Sequence, residues 1–205
     1  MADIETQLTT AHDRGLLIAI YNFIDDETFS VGYVMAQDAT HVLLKVVDPN
    51  GSVNGIQIIN KTFITKVLLR SDYLRSTEVW TQTAIAQGRD DPWQVTQWTD
   101  QLSINPDNLL TSALQTALRH KWVINLGTIR QLDDETAEDA DFTGFLGDFV
   151  GDTLALNYLD PWNLADAWQI DMKLNEINYI RIGAGVCVNM QALFEAYTDE
   201  RFSSR

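Results

Sequence analysis

Apolar residues in this chain come in short runs, each cut off by a cluster of turn-forming residues. In the first half the runs are LLIAIYNFI (16–24), FSVGYVMAQ (29–37), THVLLKVVD (40–48), GIQIIN (55–60) and FITKVLL (63–69). They are rich in β-branched and aromatic residues, and DDET, DA, PNGSVN and KT fall between them as turn formers. The second half repeats the pattern with KWVINLGTIRQ (121–131), FTGFLGDFV (142–150), DTLALNYLD (152–160), AWQIDMK (167–173) and INYIRIG (177–183). Runs that stop this soon suit strands better than buried helices, so ten strands are predicted.

Other stretches carry helical spacing. SDYLRSTEVWTQTAIAQG (71–88) has Ser71 as an N-cap and Gly88 as a stop. NPDNLLTSALQTALRH (105–120) carries an apolar stripe at Leu109, Ala113, Leu114 and Ala117 behind a proline and acceptor residues. NMQALFEAYTDERF (189–202) is likewise predicted as a helix, after the last of these runs.

The two halves match position by position. Gly32 and Gly144 are each followed by an aromatic residue, then by an apolar run ending at Leu44 or Leu156. Asp-Pro follows sixteen residues after each glycine, at Asp48-Pro49 and Asp160-Pro161, and Gln57-Ile58 matches Gln169-Ile170 at the same offset of 112. With one residue inserted, Ile64 and Val67 match Ile177 and Ile180, and LTTAHDRGLLI (8–18) parallels LQTALRHKWVI (114–124). So many coincidences point to a tandem duplication. The first unit with its flanking helices spans 1–88, a linker 89–105, and the second unit 106–205.

A helix followed by five strands, with a glycine in the second, resembles the Sm-like (LSm-type) fold. In the first unit Gly32, Asp38 six residues on, and the apolar Val42, Leu43 and Leu44 follow that family's first motif. Leu69-Arg70-Ser71 and Ile180-Arg181-Ile182 echo its apolar-Arg-Gly triplet. The resemblance implies a mainly β protein with flanking helices (α+β): two tandem Sm-like, SH3-like five-stranded barrels that self-associate through strand edges. It departs where RNA would bind: Val42 stands where the RNA-binding members carry Asn, and the triplet's glycine is Ser71 or Ile182.

Charge sharpens this. The net charge is −15, divided as −6 over residues 1–100 and −9 over the rest, and the 14 basic residues are scattered. Nucleic-acid and anionic-membrane partners, which need clustered Lys and Arg, are therefore not expected. No apolar run approaches the length of a membrane span, and MADIETQLTTAHDRG lacks the basic start and apolar stretch of a signal peptide. The lone cysteine, Cys187, lies in an apolar run and reads as a small buried hydrophobe. A cytoplasmic protein is expected.

Candidate chemistry is sparse. His12, His41 and His120 form no ligand spacing, and no nucleophile elbow, P-loop or dinucleotide fingerprint is present. GAGVCV (183–188) lacks the third glycine of such a fingerprint. No cofactor is expected. The acidic stretch DDETAEDAD (133–141) holds six carboxylates, so Asp133, Asp134 and Glu135 are the candidate cation ligands, although the order of an EF-hand loop is absent. Trp93, Trp98 and Trp162 lie in polar, loop-like contexts, either as lids over the core or as binding anchors. The function expected is therefore a non-catalytic binding or assembly module, not an enzyme, acting through strand edges and loop aromatics on itself or a protein partner. The alternatives are a degenerate RNA-binding Sm-like protein and a divalent-metal enzyme using the acidic loop.

Overall fold

The computed structural model describes residues 3–25, 27–131, 136–165 and 168–203, with side chains to residue 199. Each predicted apolar run holds one strand: β1 Leu17–Tyr21, β2 Ser30–Gln37, β3 His41–Val47, β4 Val53–Asn60, β5 Lys66–Leu68, β6 Val123–Gln131, β7 Ala137–Val150, β8 Thr153–Tyr158, β9 Trp168–Lys173 and β10 Ile177–Ile182. The helices are α1 Ile4–Arg14, α2 Asp72–Ala86, α3 Val95–Gln101, α4 Leu109–His120 and α5 Gly185–Ser203.

Local chemistry sets the helix ends. Ser71 Oγ accepts the Leu74 amide at the start of α2, and Asn108 caps α4 through the Thr111 amide. Gly15 closes α1 in the left-handed region at φ 59°, where glycine carries no Cβ penalty. The corresponding position after α4 is Lys121, at φ 54°.

All ten strands join one antiparallel open sheet in the order β5-β1-β2-β3-β4-β10-β6-β7-β8-β9. The mixed α+β class matches the expectation, but the two barrels do not stand apart as separate closed sheets. The reason is the joint: β4 pairs with β10, Ile56 to Ile182 through Ile59 to Tyr179, so neither strand is left as a bare edge.

Within each half the order is fifth, first, second, third, fourth. Gly32 pairs with Val46 and Ile18, while Gly144 pairs with Tyr158 and Ile124. A bulge interrupts β2–β3 between Val34 and Ala36, and another interrupts β7–β8 between Leu146 and Asp148, 112 residues on. Both glycines are forced by close backbone approach. A Cβ on Gly32 would lie 2.4 Å from the Lys45 carbonyl oxygen, and one on Gly144 would lie 2.1 Å from that of Asn157.

The cores correspond in the same way. Leu8, Ile20, Val42, Leu44 and Val67 share one cluster, and Leu114, Leu126, Leu154, Leu156 and Ile180 share another. Each such side chain, when fully buried, contributes roughly 1.5–3 kcal/mol. The stretch read as a linker contributes as well, since Val95 and Leu102 on and beside α3 are buried in the larger cluster. The acidic AEDAD stretch, read as part of a turn, instead extends β7. It pairs from Ala137 to Asp141 with Gln131 to Gly127 of β6, because a continuous ladder satisfies its backbone groups. Among the described residues no helix is long and apolar enough to cross a membrane.

Candidate functional site

The segment between α2 and α3 is tied down at several points. Ser52 Oγ donates to the Arg89 carbonyl at 3.0 Å, and the Val53 amide donates to the Asp90 carbonyl at 2.7 Å. The Asp91 carboxylate accepts the Val95 and Thr96 amides at 2.6 and 3.0 Å and caps α3 from outside the helix. Burial pushes the Asp91 carboxyl up, but these amides and the Thr96 hydroxyl outweigh it and hold it below the usual carboxylate range.

Capping α3 in this way brings Trp93 and Trp98 to the start of α5. Trp98 packs against Gly183 and Trp93 against Gly185, where added Cβ atoms would approach to 3.0 and 2.7 Å. The glycines of GAGVCV therefore make room for indoles. Trp98 meets Trp122 edge-on at 4.8 Å, and His120 stacks on Trp122 at 4.9 Å. The result is a cleft of about 300 Å³ walled by Trp93, Trp98 and Trp122 with the amides of Gln97 and Gln101. Among the described residues that line it none is titratable, and what they offer is apolar contact and amide hydrogen bonds.

Trp162 lies elsewhere. It is 93% exposed, in the β8–β9 connection, with its amide donating to Asp160 Oδ1 at 2.8 Å. Trp168, on β9 itself, is 58% exposed and packs edge-on against Tyr158. Both tryptophans thus belong to the open β9 end of the sheet, while the outer strand at the other end is β5.

Asp133, Asp134 and Glu135 lie outside the described residues. Among the described residues no group of three or more His, Cys, Asp and Glu side chains is placed to hold a metal ion. In the first DDET segment Asp25 Oδ1 accepts the Glu27 and Thr28 amides at 2.8 and 2.5 Å, which makes a self-closed turn. Cys187 is buried, and burial pushes its thiol up to about 12, so it is a protonated core residue.

His41, at the start of β3, has its side chain 13% exposed. Its Nδ1 meets the Thr40 hydroxyl at 2.8 Å, while Nε2 is buried without a partner. Burial lowers its pKa, against the opposing pull of Asp38. The neutral ring is a packed strand residue.

Two residues that the motif reading used only as repeat and family markers, Gln57 and Arg181, face each other across the β4–β10 joint. The visible signal was a glutamine in the middle of the apolar run GIQIIN. No family model matches this chain, and no curated protein or solved structure matches it.

Proposed function

We propose that this chain is a non-catalytic assembly module of two Sm-like units, which joins copies of itself through its open strand edges. The support is a joint of that kind already made inside the chain, where the fourth strand of one half pairs with the fifth of the other. The open edges are the remaining fourth strand, β9, and the remaining fifth strand, β5.

The register of the internal joint can be transferred to those edges with the sequence offsets of 112 and 113. Ile58 opposite Ile180 becomes Ile170 opposite Val67, Ile59 opposite Tyr179 becomes Asp171 opposite Lys66, and Ile56 opposite Ile182 becomes Trp168 opposite Leu69. The observation that carries the reading is the middle pair, in which the transferred register sets an acid against a base. Opposite charges facing across a ladder are favourable and like charges are not. Trp168 is covered by the same contact, and the exposed Trp162 lies in the connection leading into β9. Lys61, directly after β4, pairs with Glu5 at 2.8 Å within its own unit.

Light scattering on a size-exclusion column tests this. The wild type is expected as a multiple of the 23.2 kDa chain. Asp171→Lys or Lys66→Asp alone is expected to shift it toward the single chain, and the double exchange to restore the larger particle. A wild type that runs as one chain at about 100 µM, well above the concentrations at which specific assemblies form, overturns the reading.

A further inference from the structure

The β4–β10 joint contains a polar group with nothing to bind. Gln57 is fully buried, and among the described residues neither its Oε1 nor its Nε2 has a hydrogen-bond partner. Buried amides are almost always paired, so such a group calls for a partner that fills the space it faces. Gln57 and its register partner Arg181 both line a cavity of about 170 Å³.

Among the described residues the Arg181 guanidinium meets only an aromatic face, the Tyr179 ring at 4.5 Å, and pairs with no carboxylate. Val31, Val47 and the edge-to-face pair of Phe29 and Tyr73 at 5.1 Å supply apolar surface. Ser30 and Asn54 also line the cavity, with Ser30 Oγ donating to Asn22 Oδ1 at 3.3 Å and Asn54 Oδ1 accepting the Gly185 amide at 2.8 Å. Asp48 also borders the cavity, but its Oδ1 is engaged by the Asn50 and Ser52 amides at 2.8 and 3.0 Å.

We propose that this cavity binds a small carboxylate carrying one adjacent hydrogen-bond donor and a short apolar tail, that is, a 2-hydroxy or 2-amino acid. A guanidinium fork matches a carboxylate with two parallel hydrogen bonds. Gln57 Nε2 donates to the same carboxylate, and Gln57 Oε1 accepts from the hydroxyl or amine. The tail meets the valines and Phe29. At about 30 Å³ per water the volume holds five or six waters, which limits the ligand to about four to six carbons. The site does not depend on self-association. The open edges would not recreate it either, since Gln169 corresponds to Gln57 but Leu68 stands where Arg181 would be needed.

Titration calorimetry and ligand-observed NMR with 2-hydroxyisovalerate, valine and isovalerate test this on the full chain. The hydroxy or amino acid is expected to bind, and isovalerate, which leaves Gln57 Oε1 unpaired, at least about tenfold more weakly. Comparison of the hydroxy and amino acids identifies which donor is preferred. Arg181→Lys keeps the charge but loses the fork, and is expected to weaken binding by about tenfold or more. Gln57→Leu is expected to raise the melting temperature of the free protein and abolish binding, a combination that a purely structural role does not give. No binding of any of the three acids at about 10 mM, or binding unchanged in both variants, overturns the proposal. A Gln57 satisfied by water alone would give that result.

Discussion

The carboxylate of Asp38, in the β2–β3 turn, accepts the backbone amide of Leu109 at the first turn of α4, at 2.8 Å. Its other oxygen holds the amides of Thr40 and His41 at 2.8 and 2.7 Å, and the side chain is only 4% exposed. One anion thus closes a hairpin turn and sits at the positive end of the helix that leads the second half. Asp38→Ala is expected to destabilise the protein by roughly 2–4 kcal/mol, since three amides lose a charged acceptor. Denaturant unfolding measures it, and a loss below about 0.5 kcal/mol, the range of ordinary surface changes, would contradict the assignment.

The same corner sets a pH dependence. Burial pushes Asp38 up, but the Leu109, Thr40 and His41 amides outweigh it and leave its pKa lowered, and burial lowers His41 as well. A group whose pKa is depressed by folding binds more protons when unfolded, so stability falls as pH falls through its window. The His41 contribution begins to drop below its unfolded value of about 6.5, and that of Asp38 below about 3.9. Thermal unfolding from pH 8 to pH 3 is expected to show both losses. His41→Gln is expected to remove only the upper one.

Gly32 and Gly144 face the carbonyls of Lys45 and Asn157 closer than any Cβ can sit. Gly32→Ala and Gly144→Ala are each expected to cost roughly 2–3 kcal/mol, because the obstacle is backbone. Near-neutral melting temperatures in both variants would show that the strands are free to separate.

Lys121 occupies the left-handed region at φ 54° where α1 has Gly15. Lys121→Gly is expected to stabilise the protein by roughly 0.5–1 kcal/mol, because relief of the Cβ strain exceeds the added freedom of the unfolded chain. The melting temperature reads this directly, and a decrease would mean that the lysine side chain makes a contact that outweighs its backbone strain.

Most strands were legible because they are short, apolar and punctuated, the acidic extension of β7 over Ala137–Asp141 being the exception, and the Ser71 cap because serine before an acidic first turn is a local signal. Helix α3 was hidden. It has seven residues, too few to show a period, and its cap, Asp91, acts across Gln94 in the left-handed region. The tryptophan cleft was half legible: Trp93 and Trp98 stand out in polar sequence, while Trp122 is a buried core residue that only the fold brings alongside them. Gln57 and Arg181 come from strands far apart in sequence and meet only through the joint. A repeat comparison shows which residues correspond, but not that a fourth strand of one copy will lie against the fifth of the other.

That joint also sets an order of events during synthesis. Residues 4–68 contain α1 and a complete fifth-first-second-third-fourth set, and supply every buried member of their cluster except Tyr179, so they can condense early. The outer side of β4 waits for β10, at Ile177–Ile182. About 120 residues must be added in between, roughly 6–24 s at ordinary translation rates. Throughout that interval Ile56, Ile58 and Ile59 lie on an unpaired edge, and the nascent chain is most exposed there to pairing with a neighbour on the same message.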